Sequence, residues 1–191
     1  MLVESFARGR ENSLVTRYIE DGPTVLKGEL GLSDSQWKVV FDHLVFNFNL
    51  LENVVVAGLD FFIDGYVKHG FSFVRDILNV EGSGYDEVCG TLFDLLAIKN
   101  GGLRYHVIEN RDAYMTALES REAGFVRTVL GLSGEKYDEH WEEVLNLLLN
   151  GFCEDVFSSG NLEYGMKFFC GLVNSSREHR PLGKFEVLRR G

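Results

Sequence analysis

Residues 73–87 align without a gap on residues 125–139, at an offset of 52. Phe73, Val74, Arg75, Leu78, Gly82, Tyr85, Asp86 and Glu87 recur as Phe125, Val126, Arg127, Leu130, Gly134, Tyr137, Asp138 and Glu139. A weaker third copy spans residues 25–39, which lie 48 residues ahead of 73–87. There Leu30-Gly31-Leu32-Ser33 matches Leu130-Gly131-Leu132-Ser133, Trp37 takes the aromatic place of Tyr85 and Tyr137, and Lys27 takes the basic place of Arg75 and Arg127. A period of this length is the mark of stacked supersecondary units, each burying its apolar face against the next.

Each unit reads as short helix, turn, long helix. Trp37, Val40, Phe41, Leu44, Val45, Phe48 and Leu51 form one helical stripe, as do Tyr137, Trp141, Val144, Leu145, Leu148 and Leu149. Tyr85, Val88, Leu92, Leu95 and Leu96 make a shorter one. Ser33 and Gln36 have the spacing of a capping box, Ser83 and Asp86 repeat it, and Ser133 is a cap without the second partner. A further helix follows in each unit. Residues 53–67 are apolar nearly all round and are expected at the centre of the fold, with counterparts near residues 103–120 and 161–173. Gly70 and Gly124 stand where left-handed helix caps are needed. Two prolines in 191 residues favour helices, and no strand alternation is long enough to propose a sheet. The expected fold is therefore all-α, a multi-helix protein of about three related helix-turn-helix units. Its expected divisions are an N-terminal half (residues 1–100), a C-terminal half (101–174) and a basic tail (175–191).

Composition excludes several function classes. With 45% hydrophobic and 25% charged residues the chain is globular, not disordered. The apolar run near residues 54–67 is broken by Asp60 and Asp64, and Arg8, Arg10, Glu4 and Glu11 crowd the N-terminus, so neither a membrane span nor a signal peptide is expected. Cys89, Cys153 and Cys170 form no metal or redox spacing and read as reduced, buried thiols in a cytoplasmic protein.

Catalytic patterns are missing as well. Asp86/Glu87 and Asp138/Glu139 fall in first helical turns, where the backbone dipole favours negative charge. Asp60 and Asp64 share a face without a second acidic pair. His140 and Glu143 reverse the order a di-metal bundle needs. Nucleophile elbows and phosphate loops are absent. The reading is a non-enzyme with no cofactor and no metal.

Charge points elsewhere. Residues 1–17 hold Arg8, Arg10 and Arg17 against Glu4 and Glu11. Residues 175–191 hold Arg177, Arg180, Lys184, Arg189 and Arg190 against Glu178 and Glu186. The residues between carry −14, against −10 for the whole chain. Basic ends on an acidic body suggest an anionic partner. Lys27, Arg75 and Arg127, recurring at one position of the unit, are spaced either to track a phosphate backbone or to lay their long stems over apolar surface at a helix edge. The candidate nucleic-acid-binding residues are Arg8, Arg10, Arg17, Lys27, Arg75 and Arg127, with the C-terminal arginines behind them.

An all-helical chain of this size, with duplicated modules carrying Phe73-Val74-Arg75 and Phe125-Val126-Arg127 and no catalytic motif, resembles the small RNA-silencing suppressors of closteroviruses. The resemblance is one of architecture and covers most of the chain. It implies a viral, self-assembling helical protein that holds double-stranded RNA on a basic inner face in the cytoplasm of the producing or host cell. Such binding is sequence-independent and falls steeply with salt. The alternative reading is a protein–protein interaction scaffold, or a pathogen effector with a host protein partner and no nucleic-acid binding.

Overall fold

Left-handed residues end several of the helices. The structure is a computed structural model and describes residues 10–120 and 123–159. Among these residues there are helices and no strand. They are α1 (Glu11–Glu29), α2 (Asp34–Phe48), α3 (Leu50–Ala57), α4 (Leu59–His69), α5 (Phe71–Leu78), α6 (Asp86–Phe93), α7 (Gly102–Glu109), α8 (Arg111–Ser120), α9 (Ala123–Val129) and α10 (Asp138–Ser159). A 3-10 turn, Ser83–Tyr85, leads into α6, and Glu135–Tyr137 leads into α10. Residues Asp94–Lys99 continue α6 as a π-helix.

Three turns share one geometry. Gly31, Asn79 and Gly131 have φ of 61°, 52° and 72°. In each turn the next residue donates its N–H to the carbonyl five back: Leu32 to Lys27 (3.3 Å), Val80 to Arg75 (3.1 Å) and Leu132 to Arg127 (2.9 Å). The left-handed residue donates three back, to Gly28, Asp76 and Thr128 respectively. This is the Schellman arrangement, which uses a positive φ to satisfy the last carbonyls of a helix. Glycine adopts that φ without strain, and asparagine is the side chain that tolerates it best. The residue after it turns inward. Val80 and Leu132 are fully buried and Leu32 is half-buried.

The boundaries recur beyond the turns. Shifted by 52 residues, Leu50–Ala57 falls on Gly102–Glu109 and Ser83–Tyr85 on Glu135–Tyr137. The left-handed Asn49 falls on Gly101. Shifted by 48, the two parts of α1 fall on α4 and α5, because α1 is bent at Gly22 (φ 81°, ψ 167°) where α4 meets α5 at Gly70 (φ 76°, ψ −173°). Only α10 departs. It runs 22 residues to Ser159 without the break found after α2 and after the π-helix.

The chain forms two compact units, Met1–Gly102 and Leu103–Gly191. In the first, α1 packs on α2 and α3, α3 also on α4 and α6, and α4 on α5 and the π-helix. Leu26, Leu44, Leu50, Val55, Val74 and Leu96 are fully buried there. At about 2 kcal/mol for each large aliphatic side chain, this burial outweighs any single cap. In the second, α8 packs on α9 and α10 around Met115, Leu118, Val126, Leu132 and Leu148.

The stripes expected on the long helices are buried at Val40, Phe41, Leu44, Val45 and Leu51, at Tyr85, Leu92 and Leu96, and at Tyr137, Trp141, Val144 and Leu148, while Trp37, Phe48, Val88, Leu95, Leu145 and Leu149 are half-buried. The Ser33–Gln36 capping box forms, with Gln36 Oε1 accepting from the Ser33 N–H at 2.9 Å. Other details differ. The helix expected over residues 53–67 is broken at Gly58, and Val56 and Phe61 are more than half exposed, so it is not a central core helix. The stripe drawn to Leu51 bends by 78° at left-handed Asn49, where the Asn53 amide donates to the Phe48 and Asn49 carbonyls. Ser83 does not cap a helix, because a 3-10 turn opening at Gly82 occupies its place (Tyr85 N–H to Gly82 O, 3.2 Å), and Gly134 opens the matching turn after Ser133. Gly70 has the positive φ expected of it but an extended ψ, and Gly124 lies inside α9. The expected helix near 161–173 and the basic tail at 175–191 lie outside the described residues.

Gly65 illustrates how tightly α4 and α5 meet. A Cβ there would stand 2.0 Å from the Phe73 ring. Gly65→Ala is expected to destabilise the protein by about 2 kcal/mol through overpacking. Equilibrium urea unfolding measures it, and a variant as stable as the native chain contradicts this packing.

Candidate functional site

Each candidate cation can be followed to its surroundings. Arg8 lies outside the described residues, as do the C-terminal arginines. Arg10 is exposed at the start of α1, its carbonyl accepting the Leu14 N–H at 2.9 Å. Arg17 bonds Glu29 across the Gly22–Pro23 bend and Asp21 one turn on at 3.2 Å. The Glu29 hydrogen bond, then that of Asp21, raises its already high pKa further. Lys27 reaches across its turn to Asp34 and holds that carboxyl below the usual range by hydrogen bonding and charge.

The arginines of the two stronger copies are turned inward. Arg75 is half-buried, and its Nε donates to the Val80 carbonyl at 3.4 Å while its own carbonyl accepts the Val80 N–H. Arg127 makes the same reciprocal pair with Leu132, at 2.7 Å for the side-chain bond. It also donates to the Gly134 carbonyl at 3.2 Å, pairs with Asp138 at the start of α10, and lies 6.0 Å from the Trp141 ring centre. Only 6% of Arg127 is exposed. A side chain so placed joins a helix end to the next helix start. The recurring cation expected to face a ligand is a turn clamp in these two copies, and its aliphatic stem adds to the core.

Lys38 and Lys68 are likewise engaged. Lys38 bonds Asp42 (3.1 Å) and the Tyr85 hydroxyl (3.2 Å), which itself donates to Asp42 at 2.6 Å. These contacts raise the Lys38 pKa, with the Tyr85 bond the largest cause. Lys68 pairs with Asp64 at 2.8 Å, accounting for one acid of the Asp60/Asp64 stripe, while Asp60 sits in the first turn of α4. Asp86, Glu87, Asp138 and Glu139 occupy first turns of α6 and α10 as expected. Among the described residues no three His, Cys, Asp or Glu side chains converge as metal ligands, and no single helix is long and apolar enough to cross a membrane. Cys89 is buried without a disulfide, its thiol pKa raised chiefly by burial. Cys153 and Cys170 fall where no side chain is described.

Two features escaped the sequence reading. One is a polar corner between α7 and α8. The His106 Nε2 and the Tyr114 hydroxyl lie 2.6 Å apart, both residues buried, and the Asn110 amide nitrogen lies 3.1 Å from Nδ1 and donates to the His106 carbonyl at 2.9 Å. Beside it opens a concavity of ≈ 480 Å³ lined by Ile108, Glu109, Asn110, Arg111, Asp112 and Ala113. The second is a set of exposed apolar side chains at matching positions. Ile77 and Val129 are 52% and 56% exposed, and Val56 and Ile108 are 55% and 51% exposed, each pair 52 residues apart. The first pair was visible in the aligned segments, but alternation of apolar residues along a helix does not say which of them the fold covers.

Two predictions follow from these placements. Arg127→Met keeps the stem and loses the donors. It is expected to cost about 3 kcal/mol, because charged donors leave buried carbonyls unsatisfied. The exposed Asp138 end adds little. Arg75→Met, losing one long bond, is expected to cost about 1 kcal/mol. Thermal or urea unfolding reads the difference, and equal costs contradict the clamp. Burial pushes Tyr18 and Tyr114 up to about 12 from an ordinary 10.0. A folded-state pKa above the unfolded one gives stability that is complete below pH 10 and lost as pH rises through 12. Urea midpoints are therefore expected to fall across that window, with tyrosinate absorbance rising in step. Full tyrosine titration by pH 10 in the folded protein contradicts it.

Compared with known proteins, the chain matches no family model, no curated protein and no solved structure.

Proposed function

We propose that this protein is a non-catalytic helical array that works by binding another protein through exposed helix faces. The observation that carries the reading is the matched exposure of Ile77 with Val129 and of Val56 with Ile108. Isolated exposed apolar residues are ordinary on any protein. Recurrence at matching places of two stretches with nearly the same helix boundaries favours a shared outward face, and stacked helical units commonly offer such faces to partners. A second copy of the chain is one candidate partner, which makes self-assembly part of the same proposal. The cation environments add support, since Arg17, Lys27, Lys38, Lys68 and Arg127 all have carboxylate neighbours within the chain.

The RNA-backbone reading competes with it. In its favour stand exposed Arg10 and the basic residues 175–191, which lie outside the described residues. One experiment separates the two. A photo-crosslinking amino acid placed at position 77 or 129 of the full chain is expected to give protein adducts that persist after nuclease treatment, and none when placed at exposed Thr91 or Thr116. Adducts that vanish with nuclease, together with retention of double-stranded RNA that falls steeply with salt, transfer the conclusion to RNA binding.

A further inference from the structure

The first unit carries one apolar ridge whose surroundings identify the partner's chemistry. On α5, Phe73 lies across Gly65 of α4, its ring centre 5.6 Å from that of Phe61 and 5.8 Å from that of His69. Ile77 stands one turn further along α5 on the same side as Phe73. Phe61 is 56% exposed, comparable to Ile77. Phe61, Phe73 and Ile77 thus form an apolar strip over two packed helices, an arrangement that receives the apolar side of a third helix.

Charge on the same two helices and the turn after them is one-signed in effect. The two cations are occupied, Lys68 by Asp64 and Arg75 by the Val80 carbonyl. Asp60, Asp76 and Glu81 are exposed and have no ion-pair partner among the described residues. Asp60 adjoins Phe61, Asp76 adjoins Ile77, and Glu81 follows the turn that ends α5. An apolar strip with acidic neighbours favours a helix that has leucine-like residues on one side and lysine or arginine flanking them, and it disfavours an acidic helix of the same pattern.

We propose that the α4–α5 ridge of Phe61, Phe73 and Ile77, with Asp60, Asp76 and Glu81 beside it, docks a basic amphipathic helix of a partner protein. This rests on the interaction-array reading and adds the face and the chemistry of the partner. Hydrophobic anchors supply the affinity, and the acidic neighbours set orientation and on-rate.

The test uses the full chain and a fluorescein-labelled model peptide of about five helical turns, with leucines on one face and lysines elsewhere. Fluorescence anisotropy reads its binding at low and high salt. Binding is expected to weaken with salt, and the matched leucine/glutamate peptide is expected not to bind. Phe61→Ser with Ile77→Ser changes side chains that are already more than half exposed, so helicity by circular dichroism is retained. This double variant is expected to weaken binding about tenfold or more. Asp76→Lys with Glu81→Lys is expected to do the same by charge alone. Failure of the leucine/lysine peptide to bind, equal binding of the acidic peptide, or unchanged affinity in the Phe61/Ile77 variant overturns the proposal. If affinity falls instead with Val56→Ser on α3 and not with the ridge variants, this ridge is excluded while the interaction-array reading stands.

Discussion

The helix ends govern this molecule. At Gly31, Asn79 and Gly131 the backbone reverses with a positive φ, and the residue after each reversal is carried toward the interior. Those reversals fix where α1, α5 and α9 stop and which way the chain continues. The apolar stripes can meet only because the reversals place them facing one another. Two of the three turns are fastened again by an arginine that accepts from and donates to the same residue, and the buried one, Arg127, reaches on to the start of α10. A cation in a low-dielectric place is tolerated when its donors are satisfied in this way. The weaker copy does the same work with a surface ion pair, Lys27 to Asp34, which contributes less.

That use of the basic residues shapes what the surface can offer. Arg17, Lys27, Lys38, Lys68 and Arg127 are paired with carboxylates at home, while many acids face solvent and the chain carries −10, so the field around it is negative. Apolar side chains emerge through that field at Val56, Phe61, Ile77, Ile108 and Val129. A surface of this kind discriminates by charge first and holds by burial second. Such a surface complements the cationic amphipathic partner proposed above.

Much of the helical layout was legible in the sequence. The stripe from Val40 to Val45, the later one from Trp141 to Leu148, and the capping box at Ser33 follow from local rules that need only neighbours three and four residues away. The breaks were harder. Asn49 looks like any polar residue at a helix end until its left-handed backbone is seen, and Gly58 looked tolerable inside an apolar run. The roles of Arg75 and Arg127 were hidden for a different reason. A cation's sequence position records charge but not direction, and the carbonyls that receive it are five and seven residues ahead across a turn. The exposed ridge was hidden for the same reason, since Phe61 and Phe73 meet only when Gly65 lets the two helices approach.

The corner at His106 has a plainer twin in the first unit. Asn110 N–H to His106 O and Tyr114 N–H to Asn110 O repeat the bonds Gly58 N–H to Val54 O and Phe62 N–H to Gly58 O. One backbone path is thus filled in one place by hydrocarbon and in the other by an imidazole, an amide and a phenol. The path tolerates either filling because main-chain bonding defines the bend. The architecture can therefore change the chemistry of its joints, from oily to hydrogen-bonding, while the route of the chain through them stays the same.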